Sequence, residues 1–239
     1  MSGPCRQVGL LFTRVGCYAK VYLDDRLVGE HPDGNTPFHV DLTGLAKAGK
    51  DHRLDVFIHG WSRFERGRHE FVWPTFMNKA AGILGDVYLT AQPVVRVDDI
   101  SVITSVRTQT ITVRAWVRND TDTQQTVGLA NTVQLGVEPV LDLPSRQVTI
   151  QPHETAMVET SAEWKDPQLW GFEPYGSPVL YHLATRLNDA SGSFIDARYT
   201  RFGFREFWID GDRFILNGRP IFLQGEQAQF YMHTSYGQN

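Results

Sequence analysis

The chain has 239 residues, enough to bury a core without metal or disulfide staples. Its formal charge is -4 and its pI about 6.0, so no basic surface points to nucleic acid. Aromatic residues make up 12%, a content suited to sandwich cores or sugar-stacking clefts.

From the start, Gly9-Leu10-Leu11-Phe12 and Val15-Gly16-Cys17 faintly resemble a lipoprotein signal, but Arg14 interrupts the apolar stretch, which is too short for a signal core. It reads as a strand, and no apolar run reaches the ~20 residues of a membrane helix. The sequence therefore carries no address, and the compartment stays unassigned. Cys5 and Cys17 have no zinc-type spacing. They read as free, small apolar residues, with one bridge between them as the alternative.

Short alternating runs bounded by Gly, Pro, Asn and Asp follow, the pattern of sandwiches and barrels. Asp24-Asp25 predicts a tight hairpin between Lys20-Val21-Tyr22-Leu23 and Arg26-Leu27-Val28. Asp33-Gly34-Asn35 predicts a further turn. The one predicted helical stretch is 43–48, with Gly49 as its stop. Leu54, Val56 and Ile58 alternate with Arg53, Asp55 and Phe57. Residues 61–74 mix aromatic and charged side chains without alternation and read as a long loop. Trp61 and Trp73 in it suit core or interdomain packing, with sugar stacking as the alternative. Gln92-Pro93 marks a linker.

Beyond it, Ile111, Val113, Ala115 and Val117 alternate with Thr112, Arg114 and Trp116. Val179, Tyr181 and Leu183 repeat the pattern. The hundred or so residues up to a second expected boundary, near 196–200, fit an immunoglobulin-like sandwich without the antibody Cys-Trp-Cys pattern. Asp210-Gly211-Asp212 and Asn217-Gly218 then predict two further hairpins.

The order of these segments is specific. Residues 21–31, Gly34-Asn35-Thr36-Pro37-Phe38 and Val40-Asp41-Leu42-Thr43 resemble the sugar-binding jelly roll of glycoside hydrolase family 2. Gly82-Ile83-Leu84-Gly85-Asp86-Val87-Tyr88-Leu89 resembles its closing strand. Asp98-Asp99-Ile100-Ser101-Val102 resembles the start of that family's immunoglobulin-like domain. Leu169-Trp170, with the stretch from Pro178 to Leu183, resembles its late segment. Arg201-Phe202-Gly203-Phe204-Arg205-Glu206 and residues 214–225 resemble the hairpin that leads into the catalytic barrel.

The resemblance implies an all-β chain: a partial, galactose-binding-like jelly-roll sandwich over 1–93 whose first strands are missing, an immunoglobulin-like β-sandwich over 94–199, and over 200–239 the start of an otherwise absent (β/α)8 barrel. It also implies a parent that hydrolyses β-linked sugars with retention, as β-galactosidases, β-glucuronidases and β-mannosidases do. A barrel takes about 250 residues, and 39 follow Thr200. The family's Asn-Glu acid/base pair occurs nowhere in the sequence. The chain alone is therefore expected to be an inactive amino-terminal fragment with no catalytic residue, its partner a carbohydrate in the intact parent.

The paired carboxylates read as solvated turn residues: Asp24-Asp25, Asp98-Asp99 and Asp210 with Asp212. Glu226, Gln227 and Gln229 follow the segment resembling the first barrel strand and are the candidates for touching sugar in the parent. They stand where many members carry Asn-Arg-His-Glu, so substrate specificity does not transfer. The eight histidines show no metal-ligand spacing, and neither metal nor cofactor is expected. A stand-alone carbohydrate-binding module and a structural β-sandwich protein remain open alternatives.

Overall fold

The computed structural model describes residues 6–16, 18–32, 36–59 and 82–225. Every regular element in it is a strand, so among the described residues no helix is long and apolar enough to cross a membrane. The chain divides into two compact units, one holding the described residues up to Gln92 and the other Pro93–Gly225.

The first unit contains β1 (Arg6–Phe12), β2 (Val15–Gly16), β3 (Tyr18–Leu23), β4 (Arg26–His31), β5 (Phe38–Asp41), β6 (Leu54–His59), β7 (Gly82–Ile83) and most of β8 (Val87–Pro93). One sheet has the order β5-β1-β8, a second β4-β3-β6, and β2 pairs with β7. Inward residues alternate along β3, where Ala19, Val21 and Leu23 are buried. They meet Leu10 and Phe12 of β1 and Val40 of β5 in one core. Asp24 and Asp25 both adopt positive φ, 48° and 66°, and close the predicted β3–β4 hairpin. The helix predicted over 43–48 is absent: these residues form turns, with a single helical-type bond from the Ala46 N–H to the Leu42 carbonyl. Gly44 has φ +76°, left-handed backbone that cannot continue a right-handed helix.

The second unit is a two-sheet sandwich. Its strands are β9 (Val95–Ser105), β10 (Thr110–Asn119), β11 (Gln125–Leu135), β12 (Glu138–Asp142), β13 (Arg146–Ile150), β14 (Thr155–Glu163), β15 (Tyr181–Asp189) and β16 (Phe194–Phe202). One sheet has the order β14-β10-β9. The other runs β12-β11-β15-β16, and β13 also pairs with β11. The predicted alternation on β10 is plain, since Ile111, Val113, Ala115 and Val117 are all fully buried.

The sandwich core has two apolar parts. Val97, Val117, Leu129 and Leu187 belong to one; Val113, Val133, Leu183 and Phe204 belong to the other. Between them in sequence, on three inward-facing strands, stand the buried polar residues Asn131, Thr160 and Thr185. The Asn131 amide donates to Thr160 Oγ1 at 3.2 Å and its oxygen accepts from Thr185 Oγ1 at 2.7 Å. The network joins both sheets, because Thr160 lies on β14 and the other two on β11 and β15.

Residues 196–200, read from sequence as a boundary, lie inside β16, which runs unbroken to Phe202. Asp196 accepts the Val97 N–H at 2.9 Å and so ties β16 to β9, the edge strand of the opposite sheet. After β16 come β17 (Phe207–Asp210), β18 (Arg213–Leu216) and β19 (Arg219–Ile221), a small three-stranded sheet. Its turns are the predicted ones: Gly211 has φ 59°, and Asn217 and Gly218 have φ 53° and 82°.

Candidate functional site

The sequence-derived candidates Glu226, Gln227 and Gln229, and the aromatic loop with Trp61 and Trp73, lie outside the described residues. The carboxylate pairs are within them. Asp24 and Asp25 sit at a hairpin tip. Asp24 takes a 2.6 Å bond from His52 Nδ1 and a 2.8 Å bond from the Arg53 N–H, which hold its carboxyl below the usual range. Asp25 pairs with the Arg53 guanidinium. Asp210 and Asp212 flank Gly211 and are exposed.

Asp98-Asp99 is not a turn. The pair falls within β9 at a bulge, where Trp116 pairs with Asp99 but Val117 pairs with Val97. Arg96 lies 3.4 Å from Asp98, and Arg198 lies 3.7 Å from Asp99.

The most developed constellation is at the exit from the sandwich. Phe204 is fully buried and meets Trp164 edge-on at 5.2 Å between ring centres. Its carbonyl accepts the Trp170 N–H at 2.9 Å. Gly203 is required here by close approach, since a Cβ would stand 2.7 Å from Trp170 Cβ and Cγ. Arg205 lies over the Trp170 indole at 4.4 Å, a cation–π contact. Trp170, Phe172, Arg205, Phe207, Leu216 and Leu223 line a groove of about 380 Å³. It is mostly apolar with one cation in its lining, a surface that suits packing more than hydrolysis.

Glu206 closes this constellation. Its carboxylate accepts from Ser105 Oγ and the Arg107 N–H, both at 3.0 Å, and from Arg107 Nε at 2.7 Å. Burial favours the neutral acid, but these donors outweigh it and lower the pKa from 4.5 to about 2. Sequence reasoning missed this residue as a structural centre because Arg107 lies 99 positions away. The signal that was present is its place at the end of the Arg-Phe-Gly-Phe-Arg-Glu motif.

Among the described carboxyls, Asp24, Asp120, Asp189 and Glu206 are displaced from their ordinary range, all downwards. For Asp120, burial opposes the shift, and the Arg96 and Arg118 guanidinium groups outweigh it. These four groups are held as anions, the opposite of what a proton donor at neutral pH needs.

Residues 95–205 match the family model described as "Glycosyl hydrolases family 2". A β-galactosidase of Priestia megaterium (strain DSM 319 / IMG 1521) is 28% identical over 211 residues, covering 86% of this chain and 19% of that enzyme. Among solved structures, a β-glucuronidase of Bacteroides uniformis aligns with a TM-score of 0.76 and 26% identity, over 92% of this chain and 27% of its own. A β-galacturonidase of Eisenbergiella tayi, bound to galacturonate, aligns with a TM-score of 0.73 and 26% identity, over 90% and 36%. The chain thus spans about a fifth of the curated relative and about a third or less of these two structures. The family match over residues 95–205 and the three alignments along most of the sequence agree in what the chain is similar to: glycosyl hydrolases family 2.

Proposed function

We propose that this chain supplies the accessory, non-catalytic β-domains of a retaining glycoside hydrolase acting on β-linked sugars, and is inactive by itself. Retention needs two carboxyls about 5–5.5 Å apart, one protonated and one ionised. The observation that carries the reading is coverage, since the alignments span 19% of the β-galactosidase and 27% of the β-glucuronidase. The relatives' greater length supports a parent in which another region holds both groups. In that parent, 1–93 forms the jelly roll, 94–199 the immunoglobulin-like sandwich and 200–239 the segment leading into the barrel. Glu226, Gln227 and Gln229 contact the sugar there, a role supported by their place after the segment resembling the first barrel strand.

The test is hydrolysis of aryl β-galactosides, β-glucuronides and β-mannosides by the purified 239-residue chain. No release of the aryl alcohol is expected. In the parent, Gln227→Ala or Gln229→Ala is expected to raise KM, and unchanged kinetics in both would remove their assigned role.

A further inference from the structure

The β17–β19 sheet leaves the sandwich immediately after Glu206, and a sheet of three short strands is marginal unless it packs on something. Here both of its ends are tied back. At the β18–β19 turn, Asn217 Oδ1 accepts the Glu206 N–H at 2.9 Å, and Asn217 Nδ2 donates to the Trp170 carbonyl at 2.8 Å. The Asn217 N–H also donates to the Glu206 carbonyl at 2.9 Å. Glu206 is itself fixed through its carboxylate to Ser105 and Arg107, at the β9–β10 turn. The Arg107 guanidinium lies 4.6 Å from the ring centre of Trp208 on β17. Beyond β19, the Phe222 N–H donates to the Tyr175 hydroxyl at 3.3 Å.

Asn217 suits both of its tasks. Its left-handed backbone makes the turn, a conformation Asn tolerates better than most residues. Its short amide then offers an acceptor to Glu206 and a donor to Trp170 from the same group. A residue chosen only to turn the chain would need neither.

We propose that Asn217 and Glu206 form a clasp that makes the β17–β19 sheet a rigid extension of the sandwich, so that the sandwich alone sets the direction in which this sheet projects. Both are positioning residues: they act by holding the sheet. The clasp works without any carbohydrate chemistry.

Hydrogen exchange read by mass spectrometry on the full chain tests it, using wild type, Asn217→Asp and Glu206→Gln. Asp keeps the left-handed turn and the acceptor but loses the donor to Trp170. In both variants, peptides spanning 207–221 are expected to exchange at least about tenfold faster; peptides from β10, β11 and β15 stay within about twofold in Asn217→Asp and, in Glu206→Gln, accelerate by a clearly smaller factor than 207–221. The double variant is expected to exceed the larger single effect by less than about threefold, because one clasp is opened in each. Acceleration of sheet and sandwich by the same factor would reduce the pair to general stabilisers and overturn the proposal. So would a change below about threefold over 207–221 in Asn217→Asp. If Glu206→Gln does not fold, the Asn217→Asp comparison decides alone.

Discussion

Arg107 holds Glu206 from two directions: its backbone N–H donates to Oε2 at 3.0 Å and its guanidinium Nε donates to Oε1 at 2.7 Å. The Glu206 side chain is largely buried and that of Arg107 is exposed. The pair therefore differs from a surface ion pair, in which both partners stay solvated and little stability is gained.

Replacing this carboxylate has a pH signature. The folded pKa, about 2, lies below the ordinary 4.5. The ionised form therefore adds stability in full above about pH 4.5, and that stability fades as the pH falls towards 2. Glu206→Gln is expected to cost about 1–3 kcal/mol at pH 7 in denaturant unfolding. The gap from wild type should narrow steadily as the pH is lowered from 4.5. A gap that does not change with pH would mean that the charge contributes nothing.

The polar layer inside the sandwich yields a different prediction. Asn131→Ala strands the Thr160 and Thr185 hydroxyls and opens a small void, for an expected loss of about 2–4 kcal/mol. Removing all three polar groups together, as Asn131→Leu with Thr160→Val and Thr185→Val, leaves none unsatisfied. It should cost less than the single change when both are measured by urea unfolding.

At Gly203, even a methyl group is too large. Gly203→Ala drives a Cβ into Trp170 and should destabilise the fold by about 1–3 kcal/mol. A lower melting temperature and altered tryptophan fluorescence, as the Arg205–Trp170 contact loosens, are the expected readings. An unchanged melting temperature would show that Trp170 moves freely.

Much of the fold was legible because strands announce themselves locally. The alternation from Ile111 to Val117 and the turn pairs Asp24-Asp25 and Asn217-Gly218 each carry their own physics, and each appears as read. Where the reading failed, the deciding geometry was one that composition does not encode. Residues 43–48 have helix-compatible side chains, but Gly44 takes left-handed backbone. Asp98-Asp99 has turn-like chemistry, but β9 absorbs it as a bulge against β10. Asn131 occupies an inward position between Leu129 and Val133, so the sequence held a sign of a buried polar group; its partners, 29 and 54 residues away, were not readable. The exit constellation was legible as a motif and illegible as a mechanism, since Glu206 acts through a turn 99 residues earlier.

The proposed reading makes this chain scaffold, with the chemistry resident elsewhere in a larger enzyme. Its most direct test is turnover of 4-nitrophenyl β-glycosides by the 239-residue chain, purified to constant specific activity. The expected result is no nitrophenol above the no-protein rate across pH 4 to 8. Turnover that co-purifies with the chain and disappears on replacing one of its own carboxylates would contradict the account.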